Sequence, residues 1–151
     1  MITWTCQPFA ELTLPELYAA LRLRSEIFVV EQNCPYLDLD GLDEAAFHLL
    51  GRTETGELAA YTRLLPRGVS YPDYASIGRV VVSRARRGGR LGQELMRESI
   101  GHCERLFGAG PIKIGAQQYL ERFYQGFGFE QCGAGYDEDG IPHLPMLREV
   151  R

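Results

Sequence analysis

Residues 80–96, VVVSRARRGGRLGQELM, pass from a β-branched run through an arginine- and glycine-rich turn into helical periodicity. The run from Val80 to Val82 is typical of a strand buried on both faces. The side chains that share one face of the following helix, before it stops at Gly108 and Gly110, are Leu91, Leu95, Met96, Ser99, Cys103 and Leu106. A glycine-rich turn before a helix leaves the first backbone N–H groups unpaired, so this segment predicts a site for an anion.

The turn combines conformational freedom with positive charge, as a phosphate site requires. The glycines that allow the main chain to approach a ligand are Gly88, Gly89 and Gly92. The arginines that add charge-assisted donors are Arg84, Arg86, Arg87 and Arg90. A nucleotide P-loop is excluded because the chain has no Lys-Ser or Lys-Thr pair, and the glycine spacing does not make a dinucleotide fingerprint. A solvated basic turn is the alternative interpretation.

The chain as a whole is acidic, with a net charge of -4 over 151 residues. Its 45% hydrophobic and 24% charged residues are typical of one globular domain, which we place over residues 1–151. That charge does not favour nucleic acid as a partner. The first residues show no leader pattern and no apolar run approaches a membrane span, so we expect a cytoplasmic protein without a membrane partner.

Local patterns predict strands and helices along the whole chain. A β-rich run at 2–9 precedes the capping-box pair Thr13 and Glu16, which predicts a helix over about 14–29. A loop over 31–44 is long enough to indicate function. Further elements are strands over 45–53, 58–66, 75–83 and 111–116, a short helix over 118–127, and a hairpin over 128–150 turning at Asp139-Gly140. We therefore expect an α/β chain of the α+β type, with a mixed, mostly antiparallel sheet and helices on its faces.

Charge is divided between two stretches. Residues 25–51 hold six carboxylates and no Lys or Arg, whereas residues 79–90 hold five arginines and no acid. Two ligand charges of opposite sign are thereby indicated, with solvated faces as the alternative. The cysteines form no CxxC pair, so we expect reduced thiols and no metal site at Cys6, Cys34, Cys103 and Cys132.

The arginine-rich turn and a later segment together resemble a known family. Residues 80–96, followed by GAQQYLERFYQGFGF at 115–129, are similar to the acetyl-CoA-binding core of the GNAT N-acetyltransferases. In that family a strand leads through Arg/Gln-x-x-Gly-x-Gly/Ala into a helix. Arg87 and Gly92 match this motif, whereas Arg90 stands at the position of the middle glycine.

The later segment carries the second motif of the family. The Phe-Tyr-x-x-x-Gly-Phe string is present at 123–129, and Gln117 stands seven residues before Tyr124, where the family usually has Asn. The segments 21–51, 61–65, 77–83 and 136–143 are in addition similar to the bacterial ElaA-like branch of the superfamily. The middle position of the phosphate loop is also basic in that branch, so we interpret Arg90 as a feature of the branch.

This resemblance implies a GNAT fold with six to seven strands and helices on both faces. It implies an N-acetyltransferase that uses acetyl-CoA, without a metal, to acetylate a primary amine of a small molecule or a peptide. The residues implied to bind the donor are Val80, Val81, Val82, Arg87, Gly88, Gly89, Arg90, Leu91, Gly92, Gln93, Gln117, Phe123 and Tyr124. Within that set the Val82 N–H would polarise the thioester carbonyl and Tyr124 would protonate the thiolate, unless Tyr124 only packs the short helix.

The resemblance does not single out a general base. Glu31, His48 and His143 are titratable groups in the segments similar to that branch, and any of them is able to accept the amine proton. Each has a structural alternative: Glu31 as a brace of the helix end, His48 as a donor to a backbone carbonyl, and His143 as a support of the final hairpin.

The acidic loop predicts a binding region for a cationic amine. Its candidate residues are Glu31, Asp38, Asp40 and Asp43. The arginines that we expect to pair with these carboxylates are Arg24, Arg63 and Arg79. The apolar residues of the same loop, Leu37, Leu39 and Leu42, leave two occupants open: a second copy of the chain in a homodimer, or the substrate.

Two other functions are compatible with the same scaffold. A non-catalytic acyl-CoA-binding or sensing domain would share the donor site, because a fold does not determine a function. An acyl-homoserine-lactone synthase is less well supported, because the chain is short for an acyl-chain tunnel and shows no signal for adenosylmethionine.

Overall fold

The computed structural model describes residues 1–150, which contain eight strands and three α-helices. The strands are β1 (Thr3–Pro8), β2 (Phe47–Arg52), β3 (Leu58–Leu65), β4 (Ser76–Val82), β5 (Ile112–Gln117), β6 (Phe129–Gln131), β7 (Tyr136–Glu138) and β8 (Ile141–Arg148). The helices are α1 (Leu14–Arg24), α2 (Leu91–Phe107) and α3 (Glu121–Gln125). Their order matches the predicted order, except that the last segment forms three strands, two of them of only three residues, where two strands were expected.

The strands divide into two four-stranded antiparallel sheets. Strands β1 to β4 pair in chain order, and β8 pairs with β5, β6 and β7. The two sheets meet at one parallel bridge between Ala75 and Ile112, where the Lys113 N–H also donates to the Ala75 carbonyl at 3.0 Å. In the described part of the chain, β4 and β5 form no further ladder beyond that bridge, so their carboxyl ends diverge. The predicted α+β class with mostly antiparallel pairing is confirmed.

Helix α1 begins where the capping box predicts. The Thr13 N–H donates to Glu16 Oε1 at 2.8 Å, and the Glu16 N–H donates to Thr13 Oγ1 at 3.2 Å. The α-helix ends at Arg24, before the predicted limit near residue 29, and the chain continues as a π-helical segment over Ser25–Glu31. The chain therefore stays helical past Arg24, and Glu31, at the end of this helical stretch, precedes the long loop. The Arg24 side chain is fully buried.

The main core lies where α2 packs on the inner strands. Its buried side chains include Met96 and Cys103 of α2. The Ser99 hydroxyl donates to the Leu95 carbonyl at 2.7 Å and lies 2.8 Å from the Thr62 hydroxyl, so this buried polar group is satisfied. Leu106, expected on the buried face, is exposed, because α2 ends at the next residue.

The four cysteines are free thiols. The Cys34 thiol donates to the Asp139 carbonyl at 3.3 Å, which ties the long loop to the turn between β7 and β8. Within residues 1–150, no helix has both the length and the apolar character needed to cross a bilayer.

Candidate active site

A cleft of about 650 Å³ opens where the two central strands diverge. One wall is formed by β4, with Val80, Val81 and Val82, and the other by β5, with Ile114 and Gln117. Over residues 1–150, the edge of β4 that faces β5 has no ladder partner beyond the bridge. Its backbone groups are therefore available to an extended ligand, as at other sheet edges.

The arginine-rich turn lies beside this cleft. Arg84–Arg86 form a 3-10 turn, and Gly88 has a φ of 90°, in the region that favours glycine. No side chain of the described residues caps α2 at Arg90, so the first N–H groups of that helix are available to an anion. Arg87 and Gly92 reach the cleft wall. The turn thus presents the features of the anion site that the sequence predicts.

Five other residues that were predicted to bind the donor do not line this cleft: Gly88, Gly89, Arg90, Leu91 and Gln93. Gln93 lines a second depression of about 340 Å³ together with Arg97, Arg122 and Phe123. Phe123 also belongs to the cleft wall, so the depression and the cleft adjoin. The sequence analysis missed these two arginines because their wide separation resembles that of ordinary surface charges.

A β-bulge changes the course of β4 along the cleft. Tyr61 of β3 pairs with Val81, but Arg63 pairs with Gly78, so β4 carries one extra residue against β3. Arg79 lies within this stretch and has a φ of 50°, a left-handed conformation that non-glycine residues rarely adopt. The bulge places the Arg79 guanidinium against the long acidic loop.

That loop is held by a closed ring of alternating charges formed by Arg24, Asp38, Arg79, Asp40, Arg63 and Asp43. The nitrogen–oxygen distances around the ring run from 2.7 to 3.4 Å. The predicted pairing of arginines with these carboxylates is confirmed. Because three cations balance three anions, the loop lacks the net negative rim that we expected to attract a cationic amine.

The ring also determines how its carboxyl groups titrate. Burial alone would raise the pKa of Asp43, but hydrogen bonds from Arg24 and Arg63 hold that pKa below its ordinary value. Burial would also raise the pKa of Asp40, but the hydrogen bonds from Arg63 and the Leu42 N–H, together with the charges of Arg63 and Arg79, lower it. Asp38 and Asp40 reach the cleft wall, already paired, whereas Asp43 lies outside it. The structure therefore does not bring Asp43 to a position from which it can bind a substrate.

Glu31 lies on the cleft wall, where its carboxylate bridges Arg84 and Arg87. Arg87 donates from both terminal nitrogens to the two carboxylate oxygens, at 2.7 and 2.6 Å. Arg84 Nε is 2.8 Å from Glu31 Oε1. The hydrogen bonds from Arg87 hold the pKa of Glu31 below its ordinary value. In the free protein, Glu31 thus occupies two of the arginines that we expected to bind phosphate.

Tyr124 is only 5% exposed, yet it contributes to the cleft wall. Its ring packs edge-on against Phe123 and Phe129, with centroid distances of 5.2 and 6.1 Å. Burial raises the pKa of the phenol, so Tyr124 keeps its proton at neutral pH. Tyr124 therefore packs α3 on the sheet, contributes to the lining of the cleft and keeps its phenol proton.

The two predicted histidines lie in different places. His48 is 1% exposed and absent from the cleft wall, and its ring contacts the Tyr61 hydroxyl at 2.7 Å and the Asp43 carbonyl at 2.9 Å. Burial lowers the pKa of His48, which favours the neutral ring. His143 lines the cleft and donates from Nδ1 to the Ile141 carbonyl at 2.7 Å. In the neutral ring this leaves Nε2 of His143 as an acceptor.

The cleft lining also includes residues that the sequence did not single out, among them Tyr71, Tyr136 and Glu138. The Tyr136 hydroxyl occupies the space where a side chain at Gly115 would lie. The Tyr136 ring stacks on His143 with a centroid distance of 5.7 Å, and Glu138 Oε2 lies 3.5 Å from His143 Nε2. The one available signal was the unexplained glycine in the middle of β5, since β7 is too short to show a pattern.

Known proteins are similar to this chain over nearly its whole length. Residues 31–150 match the family described as Acetyltransferase (GNAT) domain. Protein ElaA of Escherichia coli is 45% identical over 99% of this chain and 98% of its own length. The crystal structure of Escherichia coli ElaA has a TM-score of 0.91 at 44% identity, covering 99% of this chain and 100% of that one.

A second solved structure is similar to the same extent. The crystal structure of an acyl-CoA N-acyltransferase from Pseudomonas aeruginosa has a TM-score of 0.89 at 46% identity. The match covers 97% of this chain and 99% of that protein. The likeness therefore extends over nearly the whole fold.

Proposed function

The chain belongs to the GNAT acetyltransferase family, and from that premise we propose that it transfers the acetyl group of acetyl-CoA to a primary amine. The observation that carries this proposal is the cleft between β4 and β5, whose lining includes Arg87 and Gly92 of the turn and Tyr124 of α3. A thioester with an anionic end and a long uncharged arm fits such a cleft.

The turn holds the diphosphate of the donor. The free N–H groups at the start of α2 and the Arg87 guanidinium supply donors to an anion. The adjoining depression, with Arg97 and Arg122, offers cations for the remaining phosphate of the nucleotide end. Gly88 and Gly89 keep the turn free of side chains that would hinder this approach.

The edge of β4 binds the pantetheine arm through backbone hydrogen bonds, as it would bind an additional β-strand. Backbone groups of Val80 to Val82 pair with its amides, and the Gln117 side chain adds an amide contact from β5. The Val82 N–H points a dipole at the thioester carbonyl and stabilises the negative charge that develops on its oxygen.

Tyr124 and His143 share the proton transfers. The amine nitrogen attacks the carbonyl carbon, the carbon–sulfur bond breaks, and the thiolate takes the proton of the Tyr124 hydroxyl. The proton lost by the amine passes, directly or through water, to Nε2 of His143. We choose His143 as the base because Glu31 is engaged by two arginines and His48 lies outside the cleft.

The acceptor binds beside His143. Tyr71 and Tyr136 provide aromatic surface there, and Glu138 provides a carboxylate that is half exposed and near the Nε2 atom. These groups suit an amine that arrives as an ammonium ion. Asp38 and Asp40 shape the same cleft from the ion-pair ring, without a free charge to offer.

A non-catalytic acyl-CoA-binding domain is the second candidate, because the donor site alone would serve it. The two functions are separated by a thermal-shift assay with acetyl-CoA, followed by an assay of free thiol release with a panel of primary amines. We expect stabilisation by acetyl-CoA and thiol release that depends on the amine. Stabilisation without thiol release would favour the binding domain, and the absence of stabilisation would contradict both functions.

A further inference from the structure

The carboxylate of Glu31 has the contacts that a phosphate would make at the turn. Two N–H groups of Arg87 donate hydrogen bonds to its two oxygens at 2.7 and 2.6 Å, and Arg84 adds a third contact at 2.8 Å. Planar bidentate pairing of this kind is how guanidinium groups recognise both carboxylates and phosphates. Glu31 and the expected diphosphate therefore require the same donors.

We propose that Glu31 is an internal competitor of the donor, so that binding of coenzyme A is an exchange in which diphosphate replaces this carboxylate on Arg87. The inference rests on the proposed function, because it takes the turn to be the donor site. It assigns to Glu31 a role in donor affinity and removes it from the acid–base chemistry of the free protein.

The position of Glu31 in the chain makes the exchange feasible. Glu31 is the last residue of the π-helical segment and the next residues belong to the long loop, so its side chain can leave Arg87 without breaking a strand. The ion-pair ring anchors that loop further along, at Asp38, Asp40 and Asp43, and does not include Glu31. The Glu31 side chain is thus able to move without disturbing the ion pairs that hold the rest of the loop.

The test is the affinity for coenzyme A in the Glu31→Gln variant, measured by calorimetry. Removing the charge removes the competitor, so we expect the dissociation constant to fall about three- to tenfold. Glu26→Gln is the matched control, because Glu26 lies in the same segment and pairs with Arg22, away from the turn; it should bind as the wild type does.

An uncharged probe and a second variant test whether the change in affinity arises from the contact between the diphosphate and Arg87. S-acetylpantetheine lacks the diphosphate, so its affinity should be the same in the wild type and in Glu31→Gln. Arg87→Ala should weaken the binding of coenzyme A, and adding Glu31→Gln to it should have a smaller effect than in the wild-type background.

Two results would overturn the inference while leaving the proposed function intact. Unchanged binding of coenzyme A by Glu31→Gln would mean that Glu31 does not compete with the donor, and weaker binding would mean that Glu31 orients Arg87 for it. Equal tightening of S-acetylpantetheine would mean that the charge acts on the cleft in general. If inorganic diphosphate binds more tightly to Glu31→Gln but coenzyme A binds to neither protein, Glu31 competes with an anion at the turn, but the acyl-CoA function fails and the exchange with coenzyme A fails with it.

Discussion

Burial of the Tyr124 ring determines both how α3 packs on the sheet and how readily the phenol loses its proton. The aromatic neighbours Phe123 and Phe129 exclude water from the ring, and that exclusion raises the pKa of its phenol. The phenol therefore keeps its proton, as the proposed acid for the thiolate requires. Removal of one oxygen should separate the two roles, because a phenylalanine keeps the packing.

Tyr124→Phe should lower kcat about 100-fold and leave the affinity for coenzyme A unchanged, because only the proton donor is lost. Steady-state thiol release measures kcat, and calorimetry measures the affinity. Tyr18→Phe, an exposed position on α1, serves as the control. Activity at the wild-type level in Tyr124→Phe would remove the proposed acid.

His143→Gln should lower kcat/KM by about two orders of magnitude, because the amine then lacks a proton acceptor in the cleft. His102→Gln on α2 is the matched control, since His102 does not line the cleft. Unchanged kcat/KM in His143→Gln would place the base elsewhere and return Glu31 to consideration.

At the scale of the element, the turn between β4 and α2 depends on one backbone conformation. Gly88 has a φ of 90°, which a residue with a Cβ adopts only with strain, although open space surrounds it. Gly89, the next residue, has no such requirement and equally open space. The two glycines therefore make a matched pair for mutation.

Gly88→Ala should weaken the binding of coenzyme A about tenfold, because strain of roughly 1 to 2 kcal/mol would distort the donor amides. Gly89→Ala should bind as the wild type does. Calorimetric titration of both variants makes the comparison, and equal affinities would show that the turn tolerates a changed backbone.

The long loop is an element whose shape depends on ion pairs instead of hydrogen-bonded secondary structure. Arg24 connects it to α1, Arg63 to β3 and Arg79 to the bulge of β4. Arg24 is fully buried, so its replacement would leave the ring with three carboxylates and two arginines in a poorly solvated place.

Arg24→Met should destabilise the protein by about 3 to 5 kcal/mol, because it removes one of the two arginines that pair with each of Asp38 and Asp43 and leaves an uncompensated negative charge in a largely buried ring. Arg22→Met removes an exposed pair with Glu26 on the same helix and should cost less than about 1 kcal/mol. Urea unfolding measures both, and similar losses in the two variants would contradict a structural role of the ring.

At the scale of the whole molecule, the ring couples stability to pH. The arginines lower the folded-state pKa of Asp40 and Asp43 below that of the unfolded chain, where an aspartate titrates near about 3.9. As the pH falls, the unfolded chain binds protons first, so the ring's contribution is complete above about pH 5 and is lost towards lower pH.

The midpoint of urea unfolding should therefore fall as the pH is lowered from 5 to 3. Asp43→Asn should be less stable at pH 7 and should show a flatter dependence on pH, because one of the coupled carboxyl groups is gone. The same slope in the wild type and in Asp43→Asn would mean that other groups cause the acid sensitivity.

The elements followed from local patterns in the sequence. Thr13 and Glu16 form the predicted capping box, Asp139 and Gly140 form the predicted turn, and the helix after the turn ends at the predicted Gly108. These features depend on neighbouring residues, whose conformational preferences act over a few positions. The end of α1 was predicted less well, because a π-helical segment keeps the apolar spacing while the α-helix stops at Arg24.

By itself the sequence determined the class of fold, the order of most elements and the arginine-rich turn, since each rests on periodicity or on motifs within one segment. Only the tertiary structure decided which charges are free. It paired Arg24 with Asp38 and Asp43, 14 and 19 positions away, and Arg87 with Glu31, 56 positions away. Such pairs form when segments that are distant in the chain pack together. The sequence shows that a residue is charged, but it does not show which distant residue will be its partner.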